Sequence, residues 1–201
     1  MTNAELKKRA GKIKLLLTDV DGVLTDGKLY FLPTPRGGFE EVKGFSALDG
    51  IGIMQLKAFG ISSGIITGRN AQITVERAKM LSMKYVYMGF LSKLAPLQDL
   101  LRREKISSEE VAYIGDDVTD IPIMRKVGLA CAAASATAET KKTAHYVTKA
   151  KGGEGAAREV CDLILRHKGL WKQVMARVEQ ARWDKNNARG LLVITELPAG
   201  R

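Results

Sequence analysis

The chain has 201 residues, of which 45% are hydrophobic and 27% are charged. This is the composition of a folded globular protein, and it excludes disordered, collagen-like and coiled-coil chains. The formal net charge is +10, from 32 basic and 22 acidic residues, so a nucleic-acid partner must be judged from where that charge lies. The length predicts one domain, which we place at 1–169, followed by a helical tail at 170–201.

The excess positive charge lies at the two ends of the chain, in residues 7–14 and 166–189. Aromatic residues make up only 6% of the chain, and no basic run is interleaved with the stacking residues that single-strand binders use. We interpret the basic ends as solvated helix faces that help to attract an anionic small substrate. We expect no nucleic-acid partner.

Cysteine usage and hydropathy bear on the cellular compartment. Cys131 and Cys161 sit among small and apolar residues, which predicts buried free thiols suited to a reducing cytosol. No apolar run approaches the ~18 residues of a membrane span, and the Lys-rich start has no signal-peptide core. We expect a cytoplasmic protein without a membrane partner.

Short apolar runs alternate with helical patterns along the chain, which is typical of an α/β fold with a mostly parallel sheet. Turn residues at 33–38 separate the segments 30–32 and 39–43 and predict a protruding β-hairpin, which we place at about 28–45. In chain order, the pattern predicts strands at 13–18, 61–67, 84–88, 111–115, 129–132 and 145–148, and helices at 50–59, 70–81, 93–103 and 155–167. Asp49 and Asn70 are the expected N-caps of the first two helices.

Gly169 is an expected helix C-cap, and the segment beyond it also shows apolar residues at regular spacing. We expect Trp171 and Trp183 to pack against the core or a neighbouring subunit. The apolar run 191–194 would favour aggregation if it were exposed alone. An amphipathic tail helix is predicted from apolar residues at helical spacing: Leu170, Trp171, Val174, Met175 and Val178.

Asp19 and Asp21 follow the first predicted strand. Residues two apart in a strand project to the same side, so both carboxylates point the same way at its carboxyl end. That end is where open α/β sheets bind ligands. Because adjacent carboxylates repel, a divalent cation is their natural partner. Two solvated aspartates at a turn are the alternative interpretation.

A second acidic group, Asp116, Asp117 and Asp120, follows the strand at 111–115. Helix capping and the helix dipole explain two of these three acids at most. A metal site accounts for the excess better. Asp19 together with Asp116 suits Mg²⁺, which binds one or two carboxylates along with waters and phosphate oxygens.

Two further residues lie between the acidic groups. Thr67 ends a strand before exposed amides at a helix start, which suits an anion, although a simple cap is the alternative. Lys93 opens a helix, the unfavourable end of the helix dipole for a cation. This placement is easier to understand if a phosphate lies in front of it.

Taken in order, these residues resemble the four motifs of the haloacid dehalogenase (HAD) superfamily of phosphotransferases, over about residues 10–168. The resemblance implies an HAD-like Rossmannoid three-layer sandwich. It also implies that Asp19 is the nucleophile that forms an aspartyl-phosphate and that Asp21 is the general acid and base. Thr67 and Lys93 would bind the transferring phosphoryl group.

The same resemblance implies a Mg²⁺ site formed by Asp19, Asp116 and the backbone carbonyl of Asp21. Asp120, whose spacing from Asp116 matches the superfamily, would support these ligands from behind. Asp117 would be either a water-mediated ligand or a positioning group. The gaps between motifs leave no space for a cap domain, so an open site would need a large substrate or walls from another subunit.

A narrower resemblance is to the 3-deoxy-D-manno-octulosonate 8-phosphate (KDO 8-phosphate) phosphatases, carried by segments 19–27, 45–53, 66–69, 115–117 and 152–159. It implies hydrolysis of KDO 8-phosphate in lipopolysaccharide precursor synthesis by a homotetramer. In that family, hairpins assemble a small barrel and neighbouring subunits complete each active site.

By this resemblance, Gly68 and Arg69 would contact the sugar-acid part of the substrate. Residues 152–158 would make substrate or interface contacts, or simply form a turn. Phe90 and Met54 depart from the family pattern, which leaves open the phosphate of another ulosonic acid, such as a nine-carbon one. A non-catalytic assembly or nucleic-acid-binding module is the alternative from a different class.

Overall fold

Helices and strands alternate through residues 1–182 and 190–197, the part of the chain that the computed structural model describes. The strands are β1 (Leu15–Thr18), β2 (Tyr30–Pro33), β3 (Phe39–Val42), β4 (Ser62–Ile66), β5 (Tyr85–Tyr87), β6 (Val111–Gly115), β7 (Leu129–Ala132), β8 (Tyr146–Val147) and β9 (Leu192–Ile194). The α-helices are α1 (Asn3–Lys12), α2 (Ala47–Ala58), α3 (Gln72–Met80), α4 (Leu94–Glu104), α5 (Ile121–Met124), α6 (Ala138–Thr143), α7 (Ala156–His167) and α8 (Trp171–Glu179).

A parallel sheet forms the middle layer, with the strand order β8-β7-β6-β1-β4-β5-β9. The central strand β1 pairs with β4 on one side and β6 on the other, so that Leu17 lies opposite both Gly64 and Tyr113. Every residue of β1 is buried, as expected for a strand covered on both faces. The chain crosses from one side of β1 to the other between β5 and β6, and ligands bind at the carboxyl ends of strands beside such a crossover.

Two apolar layers cover the sheet, because successive side chains of a strand point to opposite faces. Leu16 packs in one layer with Ile53 of α2 and Val160 of α7. Leu15 and Leu17 pack in the other. The predicted α/β three-layer sandwich is confirmed. Among the described helices, none combines the length and apolar character needed to cross a bilayer.

The strands β2 and β3 form the predicted antiparallel hairpin, separate from the main sheet. In residues 22–66, all of which are described, the hairpin and α2 are the folded elements before β4. This part of the chain therefore contains no cap domain.

The expected caps of α2 and α3 are wrong. Helix α2 begins after Ser46, whose Oγ accepts a hydrogen bond from the Leu48 amide at 3.2 Å. Asp49 lies within the helix, and its Oδ1 accepts a hydrogen bond from the Arg158 amide at 2.8 Å, at the start of α7. The carboxylate therefore satisfies a free amide of a different helix. Helix α3 is capped by Ala71 rather than Asn70.

The tail differs from the expectation of a purely helical segment. Helix α8 forms as predicted, and the Trp171 ring lies 3.6 Å from the Arg166 guanidinium carbon. Trp183 lies outside the described residues. Residues 192–194, however, form β9, which pairs in parallel with β5 at the sheet edge. The β-branched residues Val193 and Ile194 favour a strand, and pairing covers an edge that β5 would otherwise expose.

Candidate active site

The predicted site residues meet at the carboxyl edge of the sheet. Asp19, Thr67 and Asp116 follow β1, β4 and β6, and Lys93 precedes α4. A cavity of about 330 Å³ opens there, lined by Asp19, Asp21, Gly27, Thr67, Gly68, Arg69, Leu91, Lys93, Asp116, Asp117 and Thr119. The topology therefore gathers every predicted site residue around one cavity except Asp120, which lies directly behind it.

Lys93 is a buried cation held by two carboxylates. Its side chain is 2% exposed, and its Nζ lies 2.6 Å from Asp19 Oδ2 and 2.5 Å from Asp120 Oδ1. Burial opposes the charged form, but the two carboxylates outweigh it, so the pKa of Lys93 is raised. These ion pairs compensate the unfavourable position of the lysine at a helix start without any phosphate.

Asp120 fixes the loop after β6. It is fully buried, and its Oδ2 accepts hydrogen bonds from the amides of Asp116 at 2.9 Å and Asp117 at 3.2 Å. Its Oδ1 accepts a hydrogen bond from the Tyr113 hydroxyl at 2.6 Å, in addition to the one from Lys93. Both oxygens of Asp120 are therefore engaged within the protein.

Asp19 is held at both oxygens and still lines the cavity. The Val20 amide donates to Oδ1 at 2.6 Å, and Lys93 donates to Oδ2. Burial raises the pKa of Asp19 to about 6, against the opposing effect of Lys93. The carboxylate is thus ionised at neutral pH and fixed in orientation.

Asp116 differs from Asp19 and Asp120, because no described side chain holds its carboxylate by a hydrogen bond. Burial, together with the neighbouring Asp19 and Asp120, raises the pKa of Asp116 to about 7, against the opposing effect of Lys93. Within residues 1–182 and 190–197, no side chain donates a hydrogen bond to its carboxylate. Gly22, with a φ of +84°, leaves room for that carboxylate, because a Cβ there would lie 2.0 Å from Asp116 Oδ2.

These residues fit a divalent cation. Asp19, Asp116 and Asp120 each place one carboxylate oxygen within 4.8 Å of the others. Because Asp120 is fully buried and does not line the cavity, whereas Asp19 and Asp116 do, these two remain to bind an ion. Oxygen ligands of this kind suit Mg²⁺.

The Asp21 side chain lies away from this acidic group, toward the hairpin. Its Oδ1 forms an ion pair with Lys43 Nζ, and its Oδ2 is 3.8 Å from Arg69 Nε. As a metal ligand, Asp21 would therefore contribute its backbone carbonyl and not its carboxylate. The carboxylate lines the cavity.

The remaining predicted residues lie at the rim. Arg69 Nη2 is 2.6 Å from Glu41 Oε2, and the Arg69 amide donates to Thr67 Oγ1 at 3.3 Å. Gly68 packs closely on Leu91, since a Cβ at residue 68 would lie 2.7 Å from Leu91 Cδ2. Asp117 caps the short turn after β6, with its Oδ1 accepting from the Val118 amide at 2.7 Å.

Sequence reasoning missed Glu41, Lys43 and Tyr113. One signal was available for the first two: they are two residues apart at the end of a hairpin strand and therefore project to the same side. Their contacts with Arg69 and Asp21 join distant parts of the chain. Tyr113 gave no signal, because an aromatic residue in a buried strand is ordinary core composition.

The parallel sheet and the acidic site at its carboxyl edge define a haloacid dehalogenase-like hydrolase, and residues 66–160 match the model of that family. Curated relatives narrow the assignment. The 3-deoxy-D-manno-octulosonate 8-phosphate phosphatase of Yersinia pestis is 46% identical over 158 residues, covering 79% of this chain and 82% of the relative. That of Escherichia coli K12 is 43% identical over 167 residues, covering 83% and 87%. The chain belongs to this phosphatase family, as the resemblance predicts.

Solved structures agree with this assignment. The Yersinia pestis phosphatase aligns with a TM-score of 0.79 at 44% identity, covering 84% of this chain and 89% of that one. The Moraxella catarrhalis phosphatase, solved in complex with magnesium, phosphate and KDO, aligns with a TM-score of 0.83 at 35% identity, covering 88% and 99%.

Proposed function

We propose that this protein is a Mg²⁺-dependent phosphatase that hydrolyses KDO 8-phosphate to KDO and phosphate through an aspartyl-phosphate on Asp19. The observation that carries the proposal is the arrangement of Asp19, whose carboxylate pairs with the Lys93 ammonium and lies within 4.8 Å of the Asp116 carboxylate. Identity of 46% to a phosphatase of this specificity supports the substrate. The reaction belongs to lipopolysaccharide precursor synthesis, and the buried free cysteines are in keeping with the cytoplasm.

In the first half of the reaction, Asp19 Oδ attacks phosphorus and the bond from phosphorus to the sugar oxygen breaks. Asp19 is suited to this role because its carboxylate is ionised and its orientation is fixed by Val20 and Lys93. The Asp21 carboxyl gives its proton to the departing sugar oxygen. The products of this half are free KDO and the aspartyl-phosphate.

In the second half, a water attacks the aspartyl-phosphate and Asp21 accepts its proton. Phosphate leaves and the Asp19 carboxylate is restored. Lys93 stays protonated throughout and offsets the negative charge of the phosphoryl group. Thr67, which is 2% exposed at the end of β4, offers its hydroxyl to the same group.

Asp19, Asp116 and the backbone carbonyl of Asp21 would hold Mg²⁺. The ion would supply positive charge that offsets the negative charge of the phosphoryl group. Asp120 and Asp117 support the loop that carries Asp116, through the backbone contacts described above.

Arg69 is the candidate to bind the carboxylate of the sugar acid, since a guanidinium pairs with a carboxylate through two hydrogen bonds. Residues 22–66 contain no cap domain, and we propose that neighbouring subunits of a homotetramer complete the walls of the site. Apolar side chains on the hairpin support an interface there: Phe31, Leu32 and Phe39 are 54%, 56% and 75% exposed.

The test is phosphate release in the presence of Mg²⁺ from KDO 8-phosphate, a nine-carbon ulosonic acid phosphate, a hexose phosphate and an aryl phosphate. EDTA and the Asp19→Asn variant are the controls. The proposal expects the highest kcat/KM for KDO 8-phosphate and loss of activity in both controls. Preference for the nine-carbon substrate would reassign the substrate, and full activity of Asp19→Asn would refute the mechanism.

A further inference from the structure

The hairpin directs one buried cation into the active site. Val42 and Gly44 are exposed, yet the side chain of Lys43 between them is only 1% exposed. An ammonium is buried at this depth only when carboxylates compensate its lost hydration. The residues of β2 and all but one of β3 are exposed, so the burial of Lys43 is a specific contact between the hairpin and the catalytic centre.

Lys43 belongs to a closed ring of four ionisable side chains. Its Nζ pairs with Asp21 Oδ1 and lies 2.7 Å from Glu41 Oε1. Glu41 Oε2 lies 2.6 Å from Arg69 Nη2, and Arg69 Nε lies 3.8 Å from Asp21 Oδ2. Two residues of the ring come from the hairpin, and the other two follow β1 and β4.

Asp21 depends on this ring for its orientation. Across the described parts of the chain, Lys43 is the side chain within hydrogen-bond distance of the Asp21 carboxylate, because the 3.8 Å separation from Arg69 is too long for a hydrogen bond. Asp19, by contrast, is held by Val20 and Lys93. Lys43 therefore gives the Asp21 carboxylate the one side-chain hydrogen bond that the described residues provide.

We propose that Lys43 is a positioning residue for the reaction: it fixes the Asp21 carboxyl where the proton must be transferred to the leaving oxygen. Glu41 in turn holds Lys43 and Arg69 in place. The inference rests on the proposed function, and it makes proton transfer to the leaving group dependent on the hairpin. Replacing Lys43 should therefore lower kcat/KM more for substrates whose leaving group needs a proton more.

The test compares Lys43→Met with Lys28→Met, a matched removal of a lysine on the same hairpin segment that is 73% exposed. The measurement is kcat/KM with Mg²⁺ for phenyl phosphate and p-nitrophenyl phosphate, because the second leaving group needs a proton far less. We expect Lys43→Met to lose roughly 10-fold more activity on phenyl phosphate than on p-nitrophenyl phosphate, within the range of general acid catalysis. Lys28→Met keeps the ratio of the unmodified protein.

A double-mutant cycle asks whether Lys43 acts through Asp21. In the Asp21→Asn background, adding Lys43→Met is expected to change kcat/KM by less than about twofold, since the group that Lys43 positions can no longer give a proton. Equal losses on the two aryl phosphates, or additive losses in the double variant, would overturn the proposal. Thermal unfolding checks that each variant is folded.

Glu41→Gln provides a second, milder variant if Lys43→Met does not fold. It keeps the size of the side chain but removes the charge that holds Lys43, and we expect the same leaving-group selectivity in a smaller loss. Because both substrates lack a sugar acid, the outcome is independent of the natural substrate. If the unmodified protein hydrolyses the aryl phosphates but not KDO 8-phosphate, the proposed substrate is refuted and the role of Lys43 is not.

Discussion

The Lys93 ammonium lies 2.6 Å from the Asp19 carboxylate and is almost completely buried. Its second carboxylate partner, Asp120, is fully buried. Two carboxylates, one fully buried and one mostly buried, thus share one cation, and this cation also faces the cavity where the phosphoryl group would lie. The same contact therefore serves both stability and catalysis.

Replacing Lys93 with Met should destabilise the protein and abolish phosphatase activity. Removing one partner of a buried ion pair costs roughly 3–5 kcal/mol, because the remaining charge is left unpaired. Urea unfolding at pH 8 measures this loss. Lys12→Met removes a lysine from an exposed pair with Glu109 and should change the free energy of unfolding very little. A Lys93→Met variant as stable as Lys12→Met would contradict the role of Lys93.

Gly22→Ala should selectively damage the metal site. Its Cβ would lie 2.0 Å from Asp116 Oδ2, at a φ of +84°. Gly37 is the matched control, because it has the same φ of +84° but nothing within 4 Å of its added Cβ. Both variants bear the left-handed backbone cost of about 1–2 kcal/mol, but only Gly22→Ala must move Asp116.

The measurement for this pair is the shift in Tm on adding Mg²⁺. We expect the shift to persist in Gly37→Ala and to disappear in Gly22→Ala. Equal Mg²⁺ shifts in the two variants would show that Asp116 is not a ligand.

Stabilisation by Mg²⁺ should increase as pH rises from 5 to 8. Burial raises the pKa of Asp19 to about 6 and that of Asp116 to about 7. Raised carboxyl pKa values mean that the metal-free folded state binds more protons than the unfolded chain, so its stability falls as pH rises from about 4 through these values. Mg²⁺ competes with the same protons, and its benefit is therefore small at pH 5 and large at pH 8.

Differential scanning calorimetry with and without Mg²⁺ at the two pH values tests this dependence. Asp116→Asn is the control, and it should lose most of the Mg²⁺ effect at both. An equal Mg²⁺ shift at pH 5 and pH 8 would argue against Asp19 and Asp116 as the binding groups.

The hairpin offers a test of assembly. Phe39 is 75% exposed at the start of β3, and Phe39→Glu should convert the proposed tetramer to smaller species, because a charge does not tolerate burial in an apolar interface. Light scattering measures the mass. Met80→Glu, at an apolar side chain that is 60% exposed on α3, is the control and should leave the mass unchanged. A single-chain mass of 22.0 kDa for the unmodified protein would refute the tetramer.

The strands that are buried on both faces, and the site residues that follow them, could be predicted from the sequence. Residues 111–115 and 129–132 are strands with the predicted bounds, because continuous apolar runs there are bounded by polar or turn residues. The site residues beside them were found because the carboxyl ends of parallel strands meet at one edge. The pattern predicts a helix face at 7–14 without bounds for α1, although Thr2 and Glu5 form a capping box at its start.

Features that depend on long-range pairing could not be predicted in this way. The apolar run at 192–194 is a strand only because β5 has a free edge, and no local pattern shows that edge. Lys43 is an unremarkable hairpin lysine until the fold brings Asp21 against it. Asp49 was read as the cap of its own helix, whereas its amide partner is Arg158, at the start of α7.

Asp49 gives a pH-dependent prediction away from the active site. It is 2% exposed, and burial raises its pKa to about 6, against opposing hydrogen bonds from the amides of Arg158 and its neighbours. Since the folded state favours the protonated form, this residue lowers stability as pH rises from about 4 to 6. Asp49→Asn keeps an oxygen that accepts the hydrogen bond from the Arg158 amide, but it removes the charge. It should therefore stabilise the protein at pH 8 by about 1–3 kcal/mol.

Urea unfolding at pH 4 and pH 8 separates this effect from a simple change in packing. At pH 4 the protein and the Asp49→Asn variant should be almost equally stable, because both side chains are then mostly neutral. Asp49→Ala, which removes the acceptor of the Arg158 amide, should destabilise at both pH values by about 1–3 kcal/mol. A stabilisation by Asn that is equal at pH 4 and pH 8 would mean that the charge of Asp49 is not its cause.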